Sequence, residues 1–320
     1  MTSSLPKNVR DVFESFITTE YTTVDGRQQP ITWPVTPYYD QGAATIDITT
    51  GLGYPKKADD AIRNPHVSLL FSDPTGSGLD SGCRVLVQGT AAVDEQNLDA
   101  NAERYFRESY EKLPGTRGMH PPKLVRGLLG WYYTRLYVKV RPERVFVWPD
   151  GDQSTEPELL GARLEEVRSG HSEEPVTEHV PPEGGATKWD PRIDQLGEQY
   201  STAVLSWVGP DGFPLSARVP VSLDREAGRI DVGELPPGLP AIEGRACLTA
   251  HSHAPDFSWQ RNFQVRGDLI RTDVGWALVP HRLVGGFELP DEGALARSRR
   301  FVSSTFRYYG TARKRLKQRG

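Results

Sequence analysis

The chain has 320 residues, 37% hydrophobic and 25% charged, the balance of a globular protein long enough for two domains. A formal net charge of −4 excludes a general attraction to nucleic acid or to anionic membrane, and no apolar run is long enough to span a bilayer. Two cysteines, Cys83 and Cys247, are too few for a disulfide framework or a zinc spacing, and the N-terminal segment lacks the apolar run of a secretion signal, so a reduced cytoplasmic setting is expected.

After Pro6, Val9, Val12, Phe13 and Phe16 recur at helical spacing and give a first helix one apolar face. Residues 17–24, rich in Thr and Tyr, read as a strand, and Asp25-Gly26 turns it back into a second strand over 31–38. Pro34 and Pro37 cannot donate to a ladder. This strand therefore lies at an edge or is bulged, with free backbone beside a ligand, or else the stretch is a loop.

Ile46 and Ile48 alternate with Thr45, Asp47 and Thr49 in the period of a half-buried strand, ended by Gly51 and Gly53. Lys56 and Lys57 open a short helix over 58–63, and Asn64-Pro65 stops it before an apolar strand over 67–71. Two ammonium groups, the hydroxyls of Thr49 and Thr50 and a helix start thus converge where one strand ends. That combination suits a phosphate monoester, and the alternative is a solvated lysine pair.

A loop over 72–82 leads to a strand over 84–93, and Leu98, Ala102, Tyr105 and Phe106 mark an amphipathic helix. Within the irregular stretch 113–134, His120 reads as a loop residue rather than a ligand. Trp131, Tyr132 and Tyr133 either wall an aromatic cofactor or pack a domain interface, the second being the simpler reading. A strand over 137–148 closes the first unit.

From 150 to 189 the composition shifts to Glu, Pro, Gly, Ser and Thr, the mark of a linker, with one short helix expected over 159–167. Beyond residue 190 the chain repeats its own pattern. Asp211-Gly212 and its strand echo Asp25-Gly26, and Arg229-Ile230-Asp231-Val232 echo Thr45-Ile46-Asp47-Ile48. Residues 243–249 stand where the strand after Asn64-Pro65 stood, residues 261–268 match 83–90, and residues 276–288 match 137–148. At the place of the lysine pair the second copy has Glu234, Pro236 and Pro237, with no cation.

His251 and His253 are two apart on a strand, which puts both on one face, but no nearby carboxylate or cysteine completes a metal set. Leu295, Val302, Phe306 and Tyr309 form a closing helical stripe expected to dock on the barrels, with a basic tail after it. The expected division is 1–150, a linker over 151–189, a second unit over 190–290 and a C-terminal helix and tail over 291–320.

In its first 150 residues the chain resembles the pyridoxamine 5'-phosphate oxidase superfamily, the flavin- and deazaflavin-binding split β-barrels. The resemblance rests on the strand ending in Thr49-Thr50, the glycine turn, Lys56-Lys57, the short helix, Asn64-Pro65 and Val67-Ser68-Leu69-Leu70-Phe71. It implies a mainly β fold of two tandem split barrels with flanking helices, packed as an internal pseudo-dimer, with a further homodimer left open. It also implies FMN as cofactor, with coenzyme F420 as the alternative, and a flavin- or deazaflavin-dependent oxidoreductase acting on a small-molecule substrate. By that resemblance Lys56 and Lys57 hold the cofactor phosphate and Thr49 and Thr50 offer hydroxyl or backbone contacts. Thr32, Trp33, Pro34 and Val35 run along the ring system, and Arg84 approaches its polar edge. The family's pyridoxamine-phosphate oxidases carry basic residues on the strand after the first hairpin. Residues 31–37 carry none, which argues against pyridoxamine phosphate as substrate. A non-catalytic flavin, deazaflavin or haem carrier on the same fold is the second hypothesis.

Overall fold

The computed structural model describes residues 5–80, 82–119, 130–161, 187–286 and 308–317. Helix α1 (Lys7–Ser15) forms on the expected stripe: Val9, Val12 and Phe13 are buried, and Phe13 and Phe16 both meet Phe71 of the sheet beneath. That sheet contains β1 (Thr19–Val24), β2 (Pro30–Val35), β3 (Tyr38–Asp40), β4 (Thr45–Gly51), β5 (His66–Phe71), β6 (Arg84–Asp94) and β7 (Arg135–Trp148). Its order is β2-β1-β5-β6-β7-β4-β3, with β8 (Glu158–Gly161) added on β7. Helices α2 (Lys56–Arg63) and α3 (Leu98–Lys112) flank it.

The second sheet is built from β9 (Thr202–Val208), β10 (Pro214–Pro220), β11 (Ser222–Asp224), β12 (Arg229–Gly233), β13 (Gly244–His253), β14 (Gln260–Thr272) and β15 (Gly275–Gly285). Its order, β10-β9-β13-β14-β15-β12-β11, is the first order strand for strand. Both sheets are curled and antiparallel. Register repeats too. Thr22 faces Thr32 across β1 and β2 as Ser206 faces Ser216 across β9 and β10.

Each sheet also carries a bulge at the same place, where Gly89 faces Pro142 and Gly267 faces Pro280. Both positions demand glycine, because a Cβ would stand 2.2 Å from the Arg141 carbonyl oxygen at the first and 2.0 Å from that of Val279 at the second. Gly89→Ala is expected to destabilise the protein by about 3 kcal/mol, since backbone must move. Urea unfolding measures it, and a loss below about 0.5 kcal/mol would contradict the bulge geometry.

The seam between the sheets is continuous. Leu70, Leu86, Phe146 and Trp148 of the first sheet join the apolar core of the second. At its centre the hydroxyls of Thr22, Thr32, Ser206 and Ser216 bond one another at 2.7–3.4 Å. The other core is that of the first half, and Ala312 of the helix 308–317 is buried in it.

Three expectations need correction. Residues 158–161 are strand, not helix, because Leu159 and Leu160 pair with Phe146 and Val145 at the open edge of β7; 162–167 lie outside the described residues. The second strand ends at Val35, and β3 starts only at Tyr38, since Thr36-Pro37 interrupts the ladder; β2 is an edge strand, as its prolines require. Tyr309 is 53% exposed, and it is Ala312 that docks the C-terminal helix; Leu295, Val302 and Phe306 lie outside the described residues. Among the described residues no helix is long and apolar enough to cross a membrane.

Candidate functional site

Strand β4 ends at Gly51 because Tyr54 folds back against it: a Cβ there would lie 2.9 Å from the Tyr54 ring, and Thr50 Oγ1 donates to the Tyr54 carbonyl at 2.9 Å. The tight turn brings Pro55 to the N-cap of α2 and places the lysine pair at the helix start. The two lysines then part ways. Lys56 is exposed and pairs with Asp60 at 2.8 Å, with Asp25 3.9 Å away. Lys57 is half-buried and makes no hydrogen bond or ion pair among the described residues. Burial, and then the charge of Arg135, pull its pKa down to about 8.

Arg135 opens β7 directly beside Gly51. It is 4% exposed and donates to Tyr54 Oη at 3.0 Å, with Tyr105 and Tyr132 stacked on its guanidinium at 3.9 and 4.3 Å. Burial works against its charge, but the phenol groups of Tyr105, Tyr54 and Tyr132 outweigh that and hold its pKa well above the ordinary value. Its Nε is buried with no acceptor among the described residues. An ammonium without a partner among the described residues, next to an under-satisfied guanidinium and walled by tyrosines, has the chemistry to receive an anion. Lys112, elsewhere in this half, donates its Nζ to the Pro37 carbonyl at 2.6 Å, and burial pushes its pKa down to about 7.

The other residues of interest fall in different surroundings. Thr49 faces Tyr137 across the ladder and is half-buried. Thr32 turns into the seam, where its carbonyl accepts from Gln264 Nε2 at 2.6 Å and Thr249 Oγ1 at 3.2 Å. Val35 is part of the first core, while Trp33 and Pro34 are half-buried. Trp33 lies near the end of β15, since a Cβ on Gly286 would stand 2.9 Å from its ring. Tyr132 covers Arg135 and Tyr133 stacks on Phe106 of α3, so both pack within the first half; the side chain of Trp131, like His120, lies outside the described residues.

Arg84 stands in a separate charged group with Arg218, Glu20, Asp152 and Asp73, where burial lowers its pKa. That group crosses the seam. Glu20 Oε1 accepts from Ser72 Oγ at 2.8 Å, Arg218 Nη2 at 2.9 Å and His251 Nε2 at 2.6 Å. Burial alone would raise the Glu20 pKa, but the bonds and charges of His251, Arg218 and Ser72 hold it below the ordinary carboxylate range. His253 is spent on Thr18 Oγ1 at 3.0 Å and the Ala254 carbonyl at 2.9 Å. The two histidines do share a face, but it is turned inward, and no group of three metal-ligating side chains occurs among the described residues.

The second half has no counterpart of α2. Residues 234–243 run from β12 to β13 without a helix, and Glu234 forms a two-pronged pair with Arg271 at 2.7 and 2.8 Å. One strand order used twice, with a glycine–proline bulge at the same rung of each sheet, fixes the architecture. The fold is a tandem split barrel with flanking helices. No family model and no curated protein sequence matches the chain. Similar solved structures each align to about half of it. General stress protein 26 from Bacillus anthracis is 16% identical over 49% of this chain and 97% of its own, with a TM-score of 0.33. A putative pyridoxamine 5'-phosphate oxidase from Listeria innocua is 21% identical over 44% and 95%, with a TM-score of 0.31. An F420 reductase is 16% identical over 44% and 98%, with a TM-score of 0.33.

Proposed function

We propose that the first half holds a phosphate-bearing redox cofactor, FMN or alternatively coenzyme F420, and that the protein is a flavin- or deazaflavin-dependent oxidoreductase. The observation that carries this reading is Lys57: among the described residues it is a half-buried ammonium with no partner, set beside a buried arginine with no acceptor on Nε. Lys57 and Arg135 would hold the phosphate, and Lys56, drawn toward Asp60, would add long-range charge. Bound there, the cofactor supplies the hydride chemistry. The chain's part is to fix the anion, wall it with Tyr54, Tyr105 and Tyr132, and exclude water. A haem-handling reading is less well supported, because His251 and His253 are committed to Glu20 and Thr18.

Apoprotein titrated with FMN and with F420 should quench or shift the fluorescence of one of them at micromolar concentration. Affinity should fall as pH rises through about 8, where Lys57 loses its proton. Failure of both cofactors to bind, or affinity that rises across that range, would count against the reading.

A further inference from the structure

The repeat allows each side of the seam to be compared with its mate, and the two sides differ in charge. On one side the turn over residues 209–213 closes on the first sheet: Asp211 pairs with Arg144, Phe213 stacks on His66 at 4.0 Å, and Gln88 Nε2 donates to the Pro214 carbonyl at 3.0 Å. Gln88 and Arg144 face each other across β6 and β7. By strand order and bulge position their mates are Arg266 and Arg282, which face each other across β14 and β15. Here the closing turn is residues 25–29, and Arg27 stands where Asp211 stands in its own turn. The ion pair is therefore missing.

Two arginines directly opposite on one face of a sheet repel each other unless something negative stands between them. Among the described residues no carboxylate pairs with Arg266 or Arg282; the single bond of Arg266 goes to Gln264 Oε1 at 2.6 Å. Asp25 and Asp60 are acidic groups whose charge reaches Arg266, and both are committed. Asp60 pairs with Lys56 and Arg63, and Asp25 accepts from the backbone of Arg27 and Gln29. The face is the one turned to the first half, since Gln264 and Thr249 on it both bond Thr32; Arg266 is half-buried on it and Arg282 is exposed to solvent.

We propose that Arg266 and Arg282 form a second anion-binding site at the seam, one that takes a phosphate or carboxylate group. It is built from other residues than Lys57 and does not rest on the cofactor reading. Inorganic phosphate, titrated calorimetrically into Lys57→Met protein, should still bind. Adding Arg266→Gln and Arg282→Gln should weaken that binding about tenfold or more, in line with the loss of two charge-assisted contacts. No phosphate binding to Lys57→Met, or binding unchanged by the two arginine substitutions, overturns the site. If the arginine pair alone abolishes all phosphate binding, this site stands and the Lys57 reading fails. FMN and F420 separate the two sources of the anion. A cofactor affinity that falls in the arginine variant means an anionic part of the cofactor reaches the site; an unchanged one means a separate anionic substrate does.

Discussion

Glu20→Ala should cost the fold about 3–5 kcal/mol, the usual result of leaving a buried charge without its partner. Glu20 is fully buried, and its one bonded oxygen collects Ser72, Arg218 and His251. Removing it strands the Arg218 guanidinium in the seam and leaves His251, 1% exposed at its side chain, facing a hole. Glu20→Gln keeps the shape but not the charge and should cost less. The pH dependence comes from the lowered carboxyl pKa. Stability from this group is fully present above its unfolded value of 4.5 and is lost as pH falls through the lower folded value. The variant should therefore lose part of the wild-type sensitivity to acid. Urea unfolding at pH 7 and at pH 4 measures both effects, and a cost below about 1 kcal/mol at pH 7 would mean that the network does not hold the halves.

Lys57→Met should act in opposite directions on stability and on binding. The lysine pKa falls from 10.5 to about 8 in the folded chain, so below pH 8 the fold carries an ammonium it disfavours. Between those values the unfolded chain binds more protons, and the wild type should gain stability as pH rises from about 8 toward 10.5. Methionine fills the same space without charge. It should stabilise the apoprotein by about 1–2 kcal/mol at pH 7, after allowance for partial solvent screening, and should flatten that pH dependence. The same change removes a charge-assisted contact worth roughly 1.5–3 kcal/mol, so phosphate-bearing ligands should bind at least tenfold more weakly. A more stable protein that binds less is the signature of a residue kept for its ligand. Loss of stability in Lys57→Met would show that the lysine is structural.

Much of this architecture is readable in the chain, because local pattern and fold agree. The alternation around Ile46 and Ile48, the Gly51 turn and the stop at Asn64-Pro65 each depend on neighbours in sequence, and β4, α2 and β5 form where they stand. The repeat is readable for the same reason, with one slip: Asp25 opens its turn, whereas Asp211 sits two residues further into a turn of equal length. What the sequence hides depends on distant segments. Arg135 reads as an ordinary strand residue until Tyr54 and Tyr105 close around it. Glu20 lies in a strand that the sequence marks only by its Thr and Tyr content. The second sheet covers it, bringing His251 from 231 residues away. Lys56 and Lys57 look equivalent in sequence, and only the position of Asp60, one helical turn beyond Lys56, separates them.

On the cofactor reading, the first half holds the cofactor phosphate at the start of α2, and the second half has no counterpart of that site among the described residues. Among the described residues the second half lacks the helix, the lysine and the arginine's tyrosine cage, and Glu234 and Pro236 and Pro237 occupy the place of the turn. Losing charge-assisted contacts of roughly 1.5–3 kcal/mol each and adding a carboxylate should weaken a second site by orders of magnitude. Calorimetric titration of the intact chain with FMN and with F420 measures the stoichiometry directly. One cofactor should bind per chain, Lys57→Glu should abolish it, and Glu234→Lys should create no other. Two cofactors per chain, or full occupancy in a protein carrying Lys56→Ala with Lys57→Ala, would contradict the account.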